Sequence, residues 1–186
     1  MSTTLPTRGR VLITGPSNSG KTYLTARAIE DWVDRQGTDG VAILDFAPEL
    51  ERDGVVLGGR LERETALPPG AWTGVLEAHA PRSQGETLES SRELARENAR
   101  RATQLFSQMP AAPKAVFVND ATIPFQHEAG TLEALLSKTA RADLVVINAF
   151  ESDELGTDDP ISRRERAVLE QLNRWAERRI RLDGER

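Results

Sequence analysis

Gly15-Pro16-Ser17-Asn18-Ser19-Gly20-Lys21-Thr22 decides the reading of this chain, because it meets the phosphate-binding pattern G-x-x-x-x-G-K-[ST] at every fixed position. Each fixed position has a physical task. Gly15 and Gly20 can take backbone angles closed to other residues, so the amides between them can turn inward around phosphate oxygens. Lys21 offers a mobile charge to β- and γ-phosphates, and Thr22 offers a hydroxyl to Mg²⁺, an ion that shares its shell among a few protein oxygens, phosphates and water. Pro16, Ser17, Asn18, Ser19 and Tyr23 complete the stretch expected to touch the nucleotide. A helix opening at Lys21 would add free N–H groups and a partial positive charge.

The flanks supply the strand, loop and helix order that the pattern requires. Arg10-Val11-Leu12-Ile13-Thr14 reads as a strand buried on both faces of a parallel sheet. Beyond the loop, Leu24, Ala28, Ile29, Trp32 and Val33 recur at helical spacing, without Pro or Gly until Gly37.

Working outward, further short apolar runs alternate with helical patterns. Strands are predicted at 10–14, 41–46, 115–120 and 143–148, with a weaker one at 179–182; helices are predicted at about 21–36, 87–108, 128–140 and 161–178. Thr131 is an alternative start for the third helix, and Pro110 stops the second. The alternation predicts an α/β protein with a three-layer α/β/α arrangement and a mostly parallel sheet of about five strands. At 186 residues, positions 1–186 are read as a single domain. Between 47 and 86 Pro and Gly interrupt almost every apolar group, so this stretch reads as a long irregular excursion containing a hairpin or short helical turns, a candidate lid or partner loop.

Composition narrows the chemistry. The chain has no cysteine, which excludes disulfides, thiolate zinc sites and cysteine nucleophiles, and its two histidines, His79 and His127, leave little for an imidazole metal site. A net charge of −5 with interspersed signs argues against general nucleic-acid binding. No run approaches the ~20 apolar residues of a membrane span, and the first nine positions lack the apolar stretch of a secretory signal, so a cytoplasmic protein is expected.

Ala115-Val116-Phe117-Val118-Asn119-Asp120 is a hydrophobic strand ending in an acid, the form of the second phosphate-loop motif known as Walker B. Asp120 is therefore the first candidate, with Thr22, to hold Mg²⁺, and Asp45 at the end of the second strand is its rival. Ala121 follows Asp120, so a general base must come from elsewhere; Asp45 and Glu49 are candidates. Asp158 or Asp159 with Pro160 reads as a helix entry, and Arg163, Arg164 and Arg166 fall in its first turns, where they pair with acids or reach a phosphate.

On residues 10–22 and 115–120 the chain resembles the superfamily of phosphate-loop (P-loop) nucleoside triphosphatases and kinases. Ile147-Asn148-Ala149-Phe150-Glu151, Pro160, Arg163, Arg164 and Leu172-Asn173 loosely echo the bacterial adenosylcobinamide kinase and guanylyltransferase group. That group carries its guanylyl-accepting histidine in an Arg-rich helix; neither His79 nor His127 has such a setting, so the transferase activity is not carried over. The resemblance implies an ATP- or GTP-binding protein that uses Mg²⁺ and Lys21, Asp120 or Asp45 to hydrolyse or transfer the γ-phosphate, either to water or to a small-molecule acceptor. The alternative is a nucleotide-controlled binding module with slow hydrolysis and a protein partner. Without an Asn-Lys-x-Asp segment, adenine is preferred to guanine.

Overall fold

Val11, Leu12 and Ile13 are fully buried because their strand, β1 (Gly9–Gly15), runs through the interior of a sheet with helices on both faces. The structure, a computed structural model, describes residues 5–52, 55–57 and 59–184. Along the chain follow α1 (Lys21–Gln36), β2 (Val41–Asp45), a small hairpin of β3 (Leu50–Arg52) and β4 (Val55–Leu57), β5 (Trp72–Val75), the one-turn α2 (Pro81–Gln84) and α3 (Leu88–Gln108). Then come β6 (Ala115–Asn119), α4 (Leu132–Thr139), β7 (Leu144–Phe150), α5 (Pro160–Trp175) and β8 (Arg178–Arg181).

The main sheet has the order β5-β2-β6-β7-β1-β8, and every neighbouring pair is parallel. Side chains alternate across it. Val11, Ile13, Ile43, Phe117 and Val146 pack with Ala26, Ile29 and Trp32 of α1, whereas Leu12, Leu44, Val118 and Ile147 pack with Ala102 and Phe106 of α3, Leu135 of α4 and Val168 and Leu172 of α5. One helix on one face and three on the other make the expected three layers.

The predicted helices recur with small shifts: the third begins at Leu132 after a single 3₁₀ turn at Ile123–Phe125, and the last ends at Trp175. The sheet has six strands rather than about five, because the excursion is not wholly irregular. Its Trp72–Val75 segment pairs with β2 as an edge strand. Gly74 broke the apolar pattern there for a steric reason: a Cβ at that position would lie 2.6 Å from the Trp72 ring and 2.9 Å from Leu105. Among the described residues no helix is long and apolar enough to cross a membrane.

Candidate functional site

The loop of residues 16–20 joins β1 to α1 at the carboxyl edge of the sheet. A Cβ on Gly15 would lie 2.5 Å from the Leu182 carbonyl oxygen and 2.7 Å from Ser19 Oγ, so only glycine lets the loop close against the chain leaving β8. Gly20 ends the loop with φ of 90°, and no side chain caps α1 there. Ser17 N–H donates to Glu154 Oε1 at 2.8 Å, so one loop amide holds a carboxylate of the chain itself. Lys21 folds back to donate to the Pro16 carbonyl. Its ammonium is 6.0 Å from the Phe150 ring centroid. Burial holds the Lys21 pKa below its ordinary value, against the opposing pull of Asp120 and Glu154. Ser19 Oγ is buried with no hydrogen-bond partner among the described residues.

Strand order builds the facing wall. Because β7 lies between β1 and β6, Asn148 stands between the loop helix and the end of β6. Its Oδ1 accepts from Asp120 N–H at 2.9 Å, and its Nδ2 donates to Asn119 Oδ1 at 2.7 Å and Thr25 Oγ1 at 2.8 Å. Asn119 Oδ1 also accepts from Thr22 Oγ1 at 3.3 Å, while Asn119 Nδ2 donates to Asp45 Oδ1 and to the Gly59 carbonyl, both at 2.8 Å. These buried amides satisfy one another and fix the strand ends.

Asp120 follows directly, with φ of 59° in the left-handed region. Its carboxyl pKa is raised to about 6, chiefly by burial and then by the nearby Glu165 charge, with Lys21 and Arg82 opposing and Asp45 adding to the rise. Such a group holds a cation or a proton readily.

The third wall was hidden in the excursion and α5. Arg82, in α2, pairs with Glu165 at 2.6 Å, donates to Ser162 Oγ at 3.0 Å and lies 5.8 Å from the centroid of the same Phe150 ring that Lys21 faces. Glu165 Oε1 accepts from Thr122 Oγ1 at 2.7 Å and Gln126 Nε2 at 3.3 Å. Gln126 Oε1 is buried with no partner among the described residues.

These walls enclose a cavity of about 430 Å³ lined by Ser17 to Tyr23, Asn119, Asp120, Asn148 and Glu165, with Pro48, Gly59, Glu64 and Arg82 contributed by the excursion. Of the expected residues, Ser17, Asn18, Ser19, Gly20, Lys21, Thr22, Tyr23 and Asp120 meet here. Gly15 lies behind the loop, and Pro16 faces a neighbouring cavity of about 580 Å³ shared with Phe150, Arg82 and residues 181–184. Asp45 is not in the lining: its oxygens accept from Asn119, Leu61 N–H at 2.7 Å and Ala47 N–H at 3.2 Å, a structural use that leaves it supporting Asn119. Burial raises its pKa against those hydrogen bonds. Glu49 is engaged by Arg60 and Arg63.

The arginines of α5 do not face the cavity either. Arg164 donates to the Phe125 and Gly130 carbonyls and Arg166 pairs with Asp153, leaving Arg82 as the arginine of the site. His79 pairs with Glu97 on α3 and His127 Nδ1 accepts from Ala129 N–H, both away from the cavity.

The donor set fits an oxyanion with a hard cation: a loop amide, an ammonium and a guanidinium on one side, and the oxygens of Thr22 and Asp120 on the other. Mg²⁺ needs only one or two protein oxygens, so such a site does not require the clusters of three or more His, Cys, Asp or Glu that are lacking among the described residues. No family model matches the chain, and comparison with curated proteins gives no match.

Proposed function

We propose that this chain is a Mg²⁺-dependent nucleoside triphosphate-binding protein of the P-loop type that hydrolyses or transfers the γ-phosphate. The observation that carries the reading is the Ser17–Glu154 contact: an amide of the loop leading into α1 already donates to an oxyanion, beside Lys21 and on the wall of a cavity. Lys21, the loop amides and Arg82 would stabilise charge developing on a transferred phosphoryl group, and Thr22 and Asp120 would hold Mg²⁺, with Asn119 orienting the Thr22 hydroxyl. ATP is preferred to GTP on the absence of an Asn-Lys-x-Asp segment. A cytoplasmic setting belongs to the same proposal.

The cavity extends past the loop to Gln126 and Glu165, which leaves room for water or a small-molecule acceptor next to the terminal phosphate. The second reading, a nucleotide-controlled binding module with slow turnover, is favoured by one observation. Asp45 and Glu49, the candidate general bases, are both engaged elsewhere.

Calorimetric titration with ATP and GTP in Mg²⁺, followed by product analysis, tests both. Binding weakened by Lys21→Ala more for triphosphate than for monophosphate supports the reading. Absence of binding overturns it, and binding with negligible turnover in the presence of candidate acceptors favours the module.

A further inference from the structure

The loop between β7 and α5 carries Glu151, Asp153, Glu154, Asp158 and Asp159, and it is tethered at both ends. Glu151 N–H donates to the Gly15 carbonyl at 3.0 Å, and Asp159 caps α5 by accepting from Ser162 N–H at 2.9 Å. Between these anchors Asp153 pairs with Arg166, and Gly156 turns the chain with φ of 108°. The turn directs Glu154 onto Ser17 N–H and brings Leu155, 45% exposed, to the cavity wall.

Glu154 thus does in the free protein what a phosphate oxygen would do in a complex. Its charge also acts on Lys21, whose ammonium is meanwhile turned to the Pro16 carbonyl. Both main attractants for an anion, the Ser17 amide and the Lys21 ammonium, are satisfied internally. A ligand that reaches them must expel the carboxylate; a ligand that stops short need not.

We infer that Glu154 is a specificity-determining residue of the phosphate cradle: its carboxylate fills the seat of the terminal phosphoryl group, so that triphosphate binding alone displaces it and releases the 151–159 loop. The inference rests on the nucleotide-binding reading above and assigns the seat at Ser17 to the terminal phosphate. A diphosphate held by the deeper part of the loop and the start of α1 would coexist with Glu154. The two nucleotide states would then differ in the position of an acidic loop and of Leu155, which gives a partner protein something to read.

The test compares wild type with Glu154→Gln and Glu154→Ala, both changes at an exposed position that leaves the core untouched. Binding of a non-hydrolysable triphosphate analogue and of the diphosphate is measured in Mg²⁺, with hydrogen exchange of residues 151–159 recorded in each state. Removing a charge-assisted competitor should tighten triphosphate binding by about tenfold and diphosphate binding by less than about twofold. In wild type the triphosphate, and not the diphosphate, should speed exchange in the loop.

Measurable binding with the same triphosphate-to-diphosphate ratio in all three proteins overturns the role of Glu154 and leaves the nucleotide reading standing. Failure of all three to bind either nucleotide overturns both. Binding that appears only in the variants supports the inference in its strongest form.

Discussion

Thr22 Oγ1 donates to Asn119 Oδ1 across 3.3 Å, tying the first turn of α1 to the end of β6. The side chain that meets the loop hydroxyl is thus the amide preceding Asp120, and Asp120 itself turns toward Lys21, Arg82 and Glu165 through its left-handed backbone.

Asn119→Ala should expose how much the fold depends on this tie. It removes the donor to Asp45 Oδ1 and the Gly59 carbonyl, and the acceptor for Thr22 and Asn148. A buried carboxylate would lose a partner, so the expected loss is about 2–4 kcal/mol in urea denaturation. A loss under about 0.5 kcal/mol would mean that water replaces the amide at no cost.

Much of this arrangement was legible and some was not, for identifiable reasons. The loop, β1 and α1 follow from fixed glycine, lysine and threonine spacing joined to an apolar strand and a helical stripe, all local signals. The strand end at Asn119-Asp120 was equally visible. Asn148, Gln126 and Arg82 were not assigned, because their roles depend on which strands are neighbours and on how the excursion folds back. Asp159 caps α5 and Pro160 occupies its first turn as read, and Arg164 and Arg166 are spent on carbonyls and Asp153. β5 was missed because close packing with Leu105 demands Gly74 where a strand pattern would show a larger residue.

Asp120 makes stability depend on pH in the metal-free chain. Its pKa rises from 3.8 to about 6 on folding, so between those values the folded state keeps a proton that the unfolded chain has released. Stability contributed by this group therefore falls as pH climbs through that window and stays low above it. Asp120→Asn cannot ionise and should gain on wild type across the window, by at most about 3 kcal/mol at 1.36 kcal/mol per unit, less what cavity water screens. Urea denaturation from pH 4 to pH 8 measures the difference; a constant difference would place the titration elsewhere. If Asp120 holds Mg²⁺, triphosphate with Mg²⁺ should reverse the ranking at pH 8, since the charged carboxylate binds the cation more strongly than a neutral amide oxygen.

Arg82 and Glu165 are 15% and 6% exposed, so breaking their pair strands a charge. Arg82→Ala should destabilise by about 3–5 kcal/mol, with Glu165 left to Thr122 and Gln126 alone. The double variant Arg82→Ala with Glu165→Gln should recover most of that loss. If Arg82 also stabilises charge on phosphoryl oxygens, the double variant should fold and still turn over nucleotide far more slowly than wild type, by about a hundredfold or more. Recovery of both stability and turnover would confine Arg82 to the pair.

Gln126 offers the sharpest separation of fold from function. Its Nε2 makes one long contact to Glu165 at 3.3 Å, and its buried Oε1 has no partner among the described residues. Because Gln126 lines the cavity, that oxygen is placed to accept from a water or hydroxyl there. Gln126→Met has similar reach and removes both the weak bond and the orphan oxygen. Its stability should stay within about 1 kcal/mol of wild type. If Oε1 receives the O–H of the attacking water or acceptor, turnover at saturating nucleotide should fall by about tenfold or more while nucleotide affinity is unchanged. A variant less stable by several kcal/mol, or one with unaltered turnover, would show that Gln126 serves the packing around Glu165 and that the nucleophile is held by another group on the cavity wall.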